Sequence, residues 1–522
     1  MKRFAARAAV LLLGLGTVTA CGTTTSTNGS NDTSNVNSSQ TSQVSSQNGQ
    51  QISIGLTAYP ITLDPVHSSA WFDRQVMFNV YDTLFHLGPH NVIEPDLVKS
   101  YQISKDGKTY TFHLQTGVQF QDGTPFNAAA VKFNLERGLG KTSTSRSSLD
   151  DIVSIDTPNE STVVLHLKAP YSPLLSVLTD RPGMIVSPTA VQKEGSNYPN
   201  HPVGTGPYEF ENAVKGDHIT LVKNPHYWQA GLPKTQTIVF RAFSDPNVEL
   251  TNLENGAVQI VDTIPPSQVA NLQKNPQFTV IDKPSFGFAG YELNLKSGVF
   301  QNKDLRQAVD RAINRSALVA VATSGTALPA YSPFGPSSPV YDKQEDTPLP
   351  QNAAEIAQLL AKGGQPNGFS FTLKTLPSDK TNAETIQGML AQYHINMKIE
   401  QIDAAGLGTA QQNGNFDMIL AGWSGRLDPD QNTIQYFSTG APLNFGSYSN
   451  PQVDALLNKA REQQSMANRK QTYAQVMNIL HQDVPFIFLY HSTNLMAYST
   501  KLQGFQYRSD GMIRAATLTL GN

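Results

Sequence analysis

The segment Gly422-Trp423-Ser424-Gly425-Arg426-Leu427-Asp428-Pro429 gathers an indole, a hydroxyl and a guanidinium in one short stretch. It follows the apolar run Met418 to Ala421, which reads as a strand. The groups therefore fall in a loop at a strand's C-terminal end, where ligands of open α/β sheets collect. Trp423 offers a flat face to an aliphatic stem, a sugar ring or a peptide backbone; core packing is the other use of such a ring. Arg426 is a bidentate donor suited to a carboxylate or phosphate on a solute. Its alternative is an internal pair with Asp428 or Asp430. Gly422 and Ser424 complete the candidate ligand-binding set at this loop.

Reaction chemistry is hard to find elsewhere. G-x-S-x-G, H-E-x-x-H and G-x-G-x-x-G do not occur in the body of the chain. Gly140-Lys141-Thr142 imitates the end of a phosphate-binding loop, but Leu135 stands where that loop needs a glycine. His86 and His90 have helical ligand spacing, yet Gly88 and Pro89 between them oppose a helix. Asp150-Asp151 reads as solvated loop charge. No catalytic residue, metal or cofactor is expected, and the chain is not expected to be an enzyme.

The elements that must position the loop begin after an unusual N-terminus. Lys2, Arg3 and Arg7 precede the apolar stretch Ala8 to Leu15, and Val18-Thr19-Ala20-Cys21 closes it with small residues. Residues 1–20 read as a secretory signal peptide, too short for a spanning helix. Val-Thr-Ala-Cys is similar to the bacterial lipobox, which implies cleavage before Cys21 and lipidation of its sulfur. Residues 22–50 are almost all Ser, Thr, Asn, Gln and Gly, with Asp32 the only charge. Such a tract buries too little apolar surface to offset its chain entropy and reads as a tether with a mean reach of roughly 30 Å. With one cysteine in the chain there is no internal disulfide, and a formal charge of −3 argues against nucleic acid. Residues 51–522 carry mixed signals. Strand-like runs include 52–56, 110–114, 162–167, 219–222, 238–240, 278–281 and 486–490. Helices are expected after the caps Asn302, Asn450-Pro451 and Ser465, over about 127–136, and over about 382–393 ahead of a strand at 396–402.

Thr62-Leu63-Asp64-Pro65, Tyr81-Asp82-Thr83-Leu84, Glu94-Pro95-Asp96-Leu97, Tyr110-Thr111-Phe112-His113-Leu114 and Phe120-Gln121-Asp122-Gly123-Thr124-Pro125-Phe126 come in that order. Val203-Gly204-Thr205-Gly206-Pro207-Tyr208, Asn224-Pro225-His226-Tyr227-Trp228, Leu305-Arg306-Gln307-Ala308 and Gly422-Trp423 follow. In this order the set resembles the family 5 extracellular solute-binding proteins, the peptide, nickel and opine binders of ABC importers. The resemblance implies a two-lobed α/β periplasmic-binding-protein-like fold with an extra subdomain and two crossover strands at a hinge. Lobe I is expected at 51–84, 202–285 and 488–522, an inserted subdomain at 85–201 and lobe II at 286–487. Asn444 matches a position that reaches the cleft, and Tyr59 is expected on the opposite wall; Phe288 and Tyr291 are weaker choices on a crossover strand that core packing also explains. In peptide-binding relatives an aspartate three residues after the tryptophan pairs with the peptide's ammonium. Here that place holds Arg426, so the sign is reversed. The solute is then expected to carry an acidic group: a peptide, or a non-peptide such as an opine, a sugar conjugate or a glutathione-like compound. Partners implied are an ABC permease with its ATPase subunits, and the membrane through the lipid. The protein is expected as a monomer on the extracytoplasmic face of the cell membrane. A secreted lipoprotein hydrolase, or a signalling or adhesion receptor using the same cleft, is the alternative.

Overall fold

The computed structural model of the chain describes residues 51–344, 346–347 and 351–521. The expected signal peptide, Cys21 and the tether lie outside the described residues. Among those described, no helix is long and apolar enough to cross a membrane.

One mixed sheet of eleven strands runs through the body. Its order is Ile395–Gln401, Phe369–Thr375, Met418–Trp423, Phe278–Leu293, Phe486–Ser499, Ile260–Val261, Gln51–Leu56, Thr237–Ala242, His218–Lys223 and Tyr208–Val214, with Leu328–Pro329 pairing to the side of Phe486–Ser499. Gln51–Leu56 has parallel partners on both edges, Thr237–Ala242 and Ile260–Val261. It is accordingly buried from Ile52 onward, as strands covered on both faces are. A separate antiparallel sheet of four strands, ordered Val98–Ile103, Thr109–Leu114, Thr162–Leu167, Ile152–Asn159, has one wet face. In Thr109–Leu114 the residues Tyr110, Phe112 and Leu114 point inward and their neighbours do not, the period of two that the sequence displays.

Two long strands organise the whole. Phe278–Leu293 and Phe486–Ser499 run antiparallel from Phe278↔Ser499 to Glu292↔Phe486. At one end Phe486–Ser499 meets Ile260–Val261; at the other Phe278–Leu293 meets Met418–Trp423. Their register breaks between Pro284 and Phe288. There Pro284 has no N–H to give, and Ser285 bridges the gap, accepting from the Gly287 N–H at 3.0 Å and donating to the Ser492 carbonyl at 2.8 Å. Apolar packing divides at the same place. One cluster joins Ile52, Ile54, Val76, Tyr81, Phe240, Ile281 and Met496, and others join Tyr291, Leu305, Leu373 and Ile487, or Phe288, Tyr436, Tyr473 and Phe486. A further cluster, holding Phe85, Phe112, Leu135 and Leu165, underlies the four-stranded sheet.

Helix signals translate well. Asn302 caps Lys303–Ala312 by accepting from the Asp304 and Leu305 N–H groups, and Asn450 caps Pro451–Glu462. Ser465 stands at the N-cap of Met466–Asp483, but its hydroxyl makes no capping bond. The helix expected over 382–393 is Lys380–Ala391, two residues early. The reason is Asp379, buried just ahead of it, whose carboxylate is held by Tyr291, Thr375 and Asn382 and so fixes where the helix begins.

Candidate functional site

The strand Met418–Trp423 delivers Trp423 as its last residue, and the loop that follows turns sharply at Gly425. Gly425 has φ +75°, and a Cβ there would lie 2.1 Å from the carbonyl of Phe286. Only glycine fits, because the loop lies against the irregular stretch of the long strand. Asn432 holds the loop together. Its Oδ1 accepts from Trp423 Nε1 at 3.0 Å and from the Arg426 N–H at 2.8 Å, while its Nδ2 donates to the Arg426 carbonyl at 2.8 Å. Trp423 is half-buried, set edge-on to Tyr436, and carries the Arg426 guanidinium over its ring at 4.8 Å. Ser424 is exposed and accepts from Arg426 Nη1 at 3.2 Å; Gly422 is exposed and accepts from the Tyr436 hydroxyl at 3.2 Å.

The outer edge of Arg426 does not face water. Its Nε lies 2.7 Å from Asp180 Oδ2, in the segment following the helix Leu174–Val177. Arg74 Nε stands 2.9 Å from the other oxygen. Burial alone would raise the Asp180 carboxyl, but Arg74, Arg426 and Arg181 outweigh it and hold it well below the usual carboxylate range. The internal alternative proposed for Arg426 is thereby corrected: its partner is neither Asp428 nor Asp430. Asp428 is committed to Arg469 as a buried bidentate pair, with Nη1 2.7 Å from Oδ2. Asp430 faces Arg461 Nε at 3.1 Å, and burial pushes its carboxyl up to about 7 against that cation.

Arg461 is a second crossing point. Its guanidinium stacks on Tyr171 at 4.7 Å and approaches Asp151 at 3.7 Å, and its carbonyl accepts from the Ser172 N–H at 2.9 Å. Beside it a cavity of about 200 Å³ lies between the two segments, lined by Ser147, Tyr171, Asp430, Gln431, Gln435 and Arg461.

Two expected contacts are placed elsewhere. Asn444 has its amide fully engaged in its own loop: Nδ2 donates to the carbonyls of Ser438 and Tyr448, and Oδ1 accepts from the Tyr448 N–H. It braces residues 438–448 and turns no polar atom to a solute here. Tyr59 is half-buried on a different cavity, of about 660 Å³, walled by residues 59–63, 199–203 and 210–213 together with Lys215 and Ile219. None of Gly422, Trp423, Ser424, Arg426 or Asn444 lines it. Phe288 and Tyr291 are core: Phe288 packs edge-on to Tyr436, Phe486 and Phe488, and the Tyr291 hydroxyl donates to Asp379. His86 pairs with Glu94 at 3.0 Å, and His90 sits in a separate turn at φ 59°. Asp180, Arg74 and Asn432 escaped the sequence reading because each belongs to a different stretch and nothing local ties it to the loop. The weak signal was Asp180-Arg181, two charges abutting the apolar run Leu174 to Leu178.

The profile of bacterial extracellular solute-binding proteins, family 5 middle region, matches residues 92–445. The glutathione-binding protein GsiB of Escherichia coli O6:K15:H31 is 34% identical over 464 residues, covering 86% of this chain and 90% of the relative. Among solved structures, AgaA from A. tumefaciens R10 in complex with agropinic acid superposes with a TM-score of 0.80 at 27% identity, over 90% of this chain and 99% of that one. DppA from Helicobacter pylori in complex with the peptide STSA gives 0.80 at 25% identity, over 90% and 98%.

Proposed function

The chain belongs to the bacterial extracellular solute-binding proteins, family 5, and we propose that within this family it captures an acidic solute at the Trp423–Arg426 loop. Its fold is the mixed α/β periplasmic-binding-protein fold, and it is a solute-binding protein of an ABC importer, not an enzyme. The solute class is a peptide or an acidic peptide-like or opine-like compound held between two lobes and passed to the permease. The observation that carries this reading is the guanidinium of Arg426 laid on Trp423 at the end of a sheet strand. A carboxylate that takes the place of Asp180 there gains the Nε and Nη2 donors side by side, and a flat stem gains the indole face. Glutathione, the solute named for the GsiB relatives, has two carboxylates and fits that class.

Lobe I comprises 51–84, 202–285 and 488–522, the inserted subdomain 85–201, and lobe II 286–487. The division of the apolar clusters on either side of Pro284 supports this partition. Such lobes hinge where strands cross, and the broken register at 284–288 interrupts the ladder between the two long strands. Cys21 carries the lipid, residues 22–50 are the tether, and the body works as a monomer on the extracytoplasmic face. Cys21→Ser is expected to move the protein from the membrane fraction to the soluble one; retention on the membrane would refute the anchor.

Thermal unfolding against a solute panel tests the binding reading. The panel holds reduced glutathione, opine-like acids, acidic sugars, free-ended and N-blocked peptides, and nickel. A ligand at about 100 times its dissociation constant adds about 2.7 kcal/mol. Acidic compounds are expected to raise the midpoint, and Arg426→Glu to abolish the shift. A shift from neutral free-ended peptides alone would overturn the assignment.

A further inference from the structure

Three arginines from three parts of the chain converge on one carboxylate. Around Asp180 stand Arg74 at 2.9 Å, Arg426 at 2.7 Å and Arg181 at 4.0 Å, and no side chain of the four is more than 12% exposed. Arg181 is held from behind, Nε donating to Ser68 Oγ at 2.8 Å and Nη2 to the Ala70 carbonyl. Asp73, the other acid on this side, has its oxygens taken by the Ser68 hydroxyl and the Ile61 N–H. Arg514 is paired with Asp510 at 2.6 Å and packs on Phe78, the ring that Arg74 also approaches. The seat itself thus holds three cations against one anion in a site largely screened from water. Burial draws Arg74 down to about 10 and Arg181 to about 9, Asp180 opposing the shift in both.

Asp180 reaches the 424–426 loop from a distant stretch of the chain. It occupies the edge of the Arg426 guanidinium that an acidic solute needs. We propose that Asp180 is an intramolecular latch: in the solute-free protein it sits where the solute's anionic group binds on Arg426, joins 85–201 to 286–487, and is displaced when an acidic solute enters. Arg74 and Arg181 retain the released carboxylate, so displacement leaves Asp180 neutralised. The crossing at Arg461 and Tyr171 remains as a second, independent contact between the segments. The affinity consequence rests on the acidic-solute reading; the conformational consequence does not.

A latch engaged in about nine molecules of ten weakens apparent affinity about tenfold. Calorimetry with reduced glutathione on the full chain is therefore expected to show Asp180→Asn binding about tenfold tighter than wild type, and Arg426→Gln at least tenfold weaker. Unchanged or weaker binding by folded Asp180→Asn overturns the latch, since a merely structural aspartate would lose affinity on removal. If no form binds glutathione or any acid of the panel, the solute reading has failed and solute-free small-angle scattering decides the latch. In an Arg461→Gln background, both Asp180→Asn and Arg426→Gln are expected to expand the particle relative to Arg461→Gln alone. Unchanged dimensions in both overturn the proposal. Arg426→Gln breaks the same pair from its more exposed side, and keeps this test available should Asp180→Asn not fold.

Discussion

Away from the Trp423–Arg426 loop, Glu249 and Asp262 form a buried pair of carboxyls. Glu249 is fully buried, neither of its oxygens accepts a well-formed hydrogen bond among the described residues, and a Cβ on Gly55 would touch it. Burial first, and then Asp262, pushes its carboxyl up to about 9 from an ordinary 4.5. The folded state therefore holds a proton that the unfolded chain releases above pH 4.5. Its contribution to stability is complete below that pH and is lost as pH rises towards 9, at up to about 1.4 kcal/mol per unit. Urea unfolding is expected to show wild type weakening from pH 5 to pH 9 and Glu249→Gln flattening that slope; equal slopes would refute the buried-proton account. At this scale the sequence was legible for residue type and poor for partner. Arg426 was recognisable as a cation in a loop at a strand's C-terminal end, but its partner lies in a stretch with no local link to it. Asn444 looked like a cleft donor because its chemistry permits that, and only the fold shows that three backbone groups of its own loop consume the amide.

Single elements were the most legible layer. Asn302 and Asn450 announce helices by the local chemistry of orphan N–H groups, which needs no tertiary information. The alternation of Tyr110, Phe112 and Leu114 announces a half-buried strand in the same way. The loop 424–426 could be located but not shaped, because its path is set by the strand it leans on. Gly425→Ala tests that dependence. The left-handed conformation costs an alanine about 1–2 kcal/mol, and the clash with Phe286 adds to it. Unfolding is expected to register at least the first amount, and solute affinity to fall further because Arg426 is carried out of place. An alanine variant with wild-type stability and affinity would mean that the loop is free of the long strand.

For the whole molecule, fold class was legible through the ordered resemblance of many short stretches, not through periodicity. Nothing in residues 278–281 or 486–490 reveals that each begins a strand of fourteen residues or more, or that the two are partners. Such pairing is a property of the complete sheet. The same two strands place the chain's last part inside its first part. The cluster built on Ile52, Val76 and Phe240 is finished by Met496, Met512, Ile513 and Leu518, and Phe486 to Leu489 finish the clusters on the other side. A chain ending before Phe486 is therefore expected to lack cooperative unfolding in both halves; a cooperative transition in either would show that half to be self-sufficient. During synthesis, neither core can close until nearly the last residues have left the ribosome, because long-range pairing waits for its distant partner. For a family whose members act outside the cytoplasm, this late commitment leaves the two parts that share the long strands threadable for almost the whole of translation, while the cluster under the four-stranded sheet needs nothing from the chain's last part. The architecture that will grip a solute thus first serves as a delay, keeping those two parts pliable while the chain still has a membrane to cross.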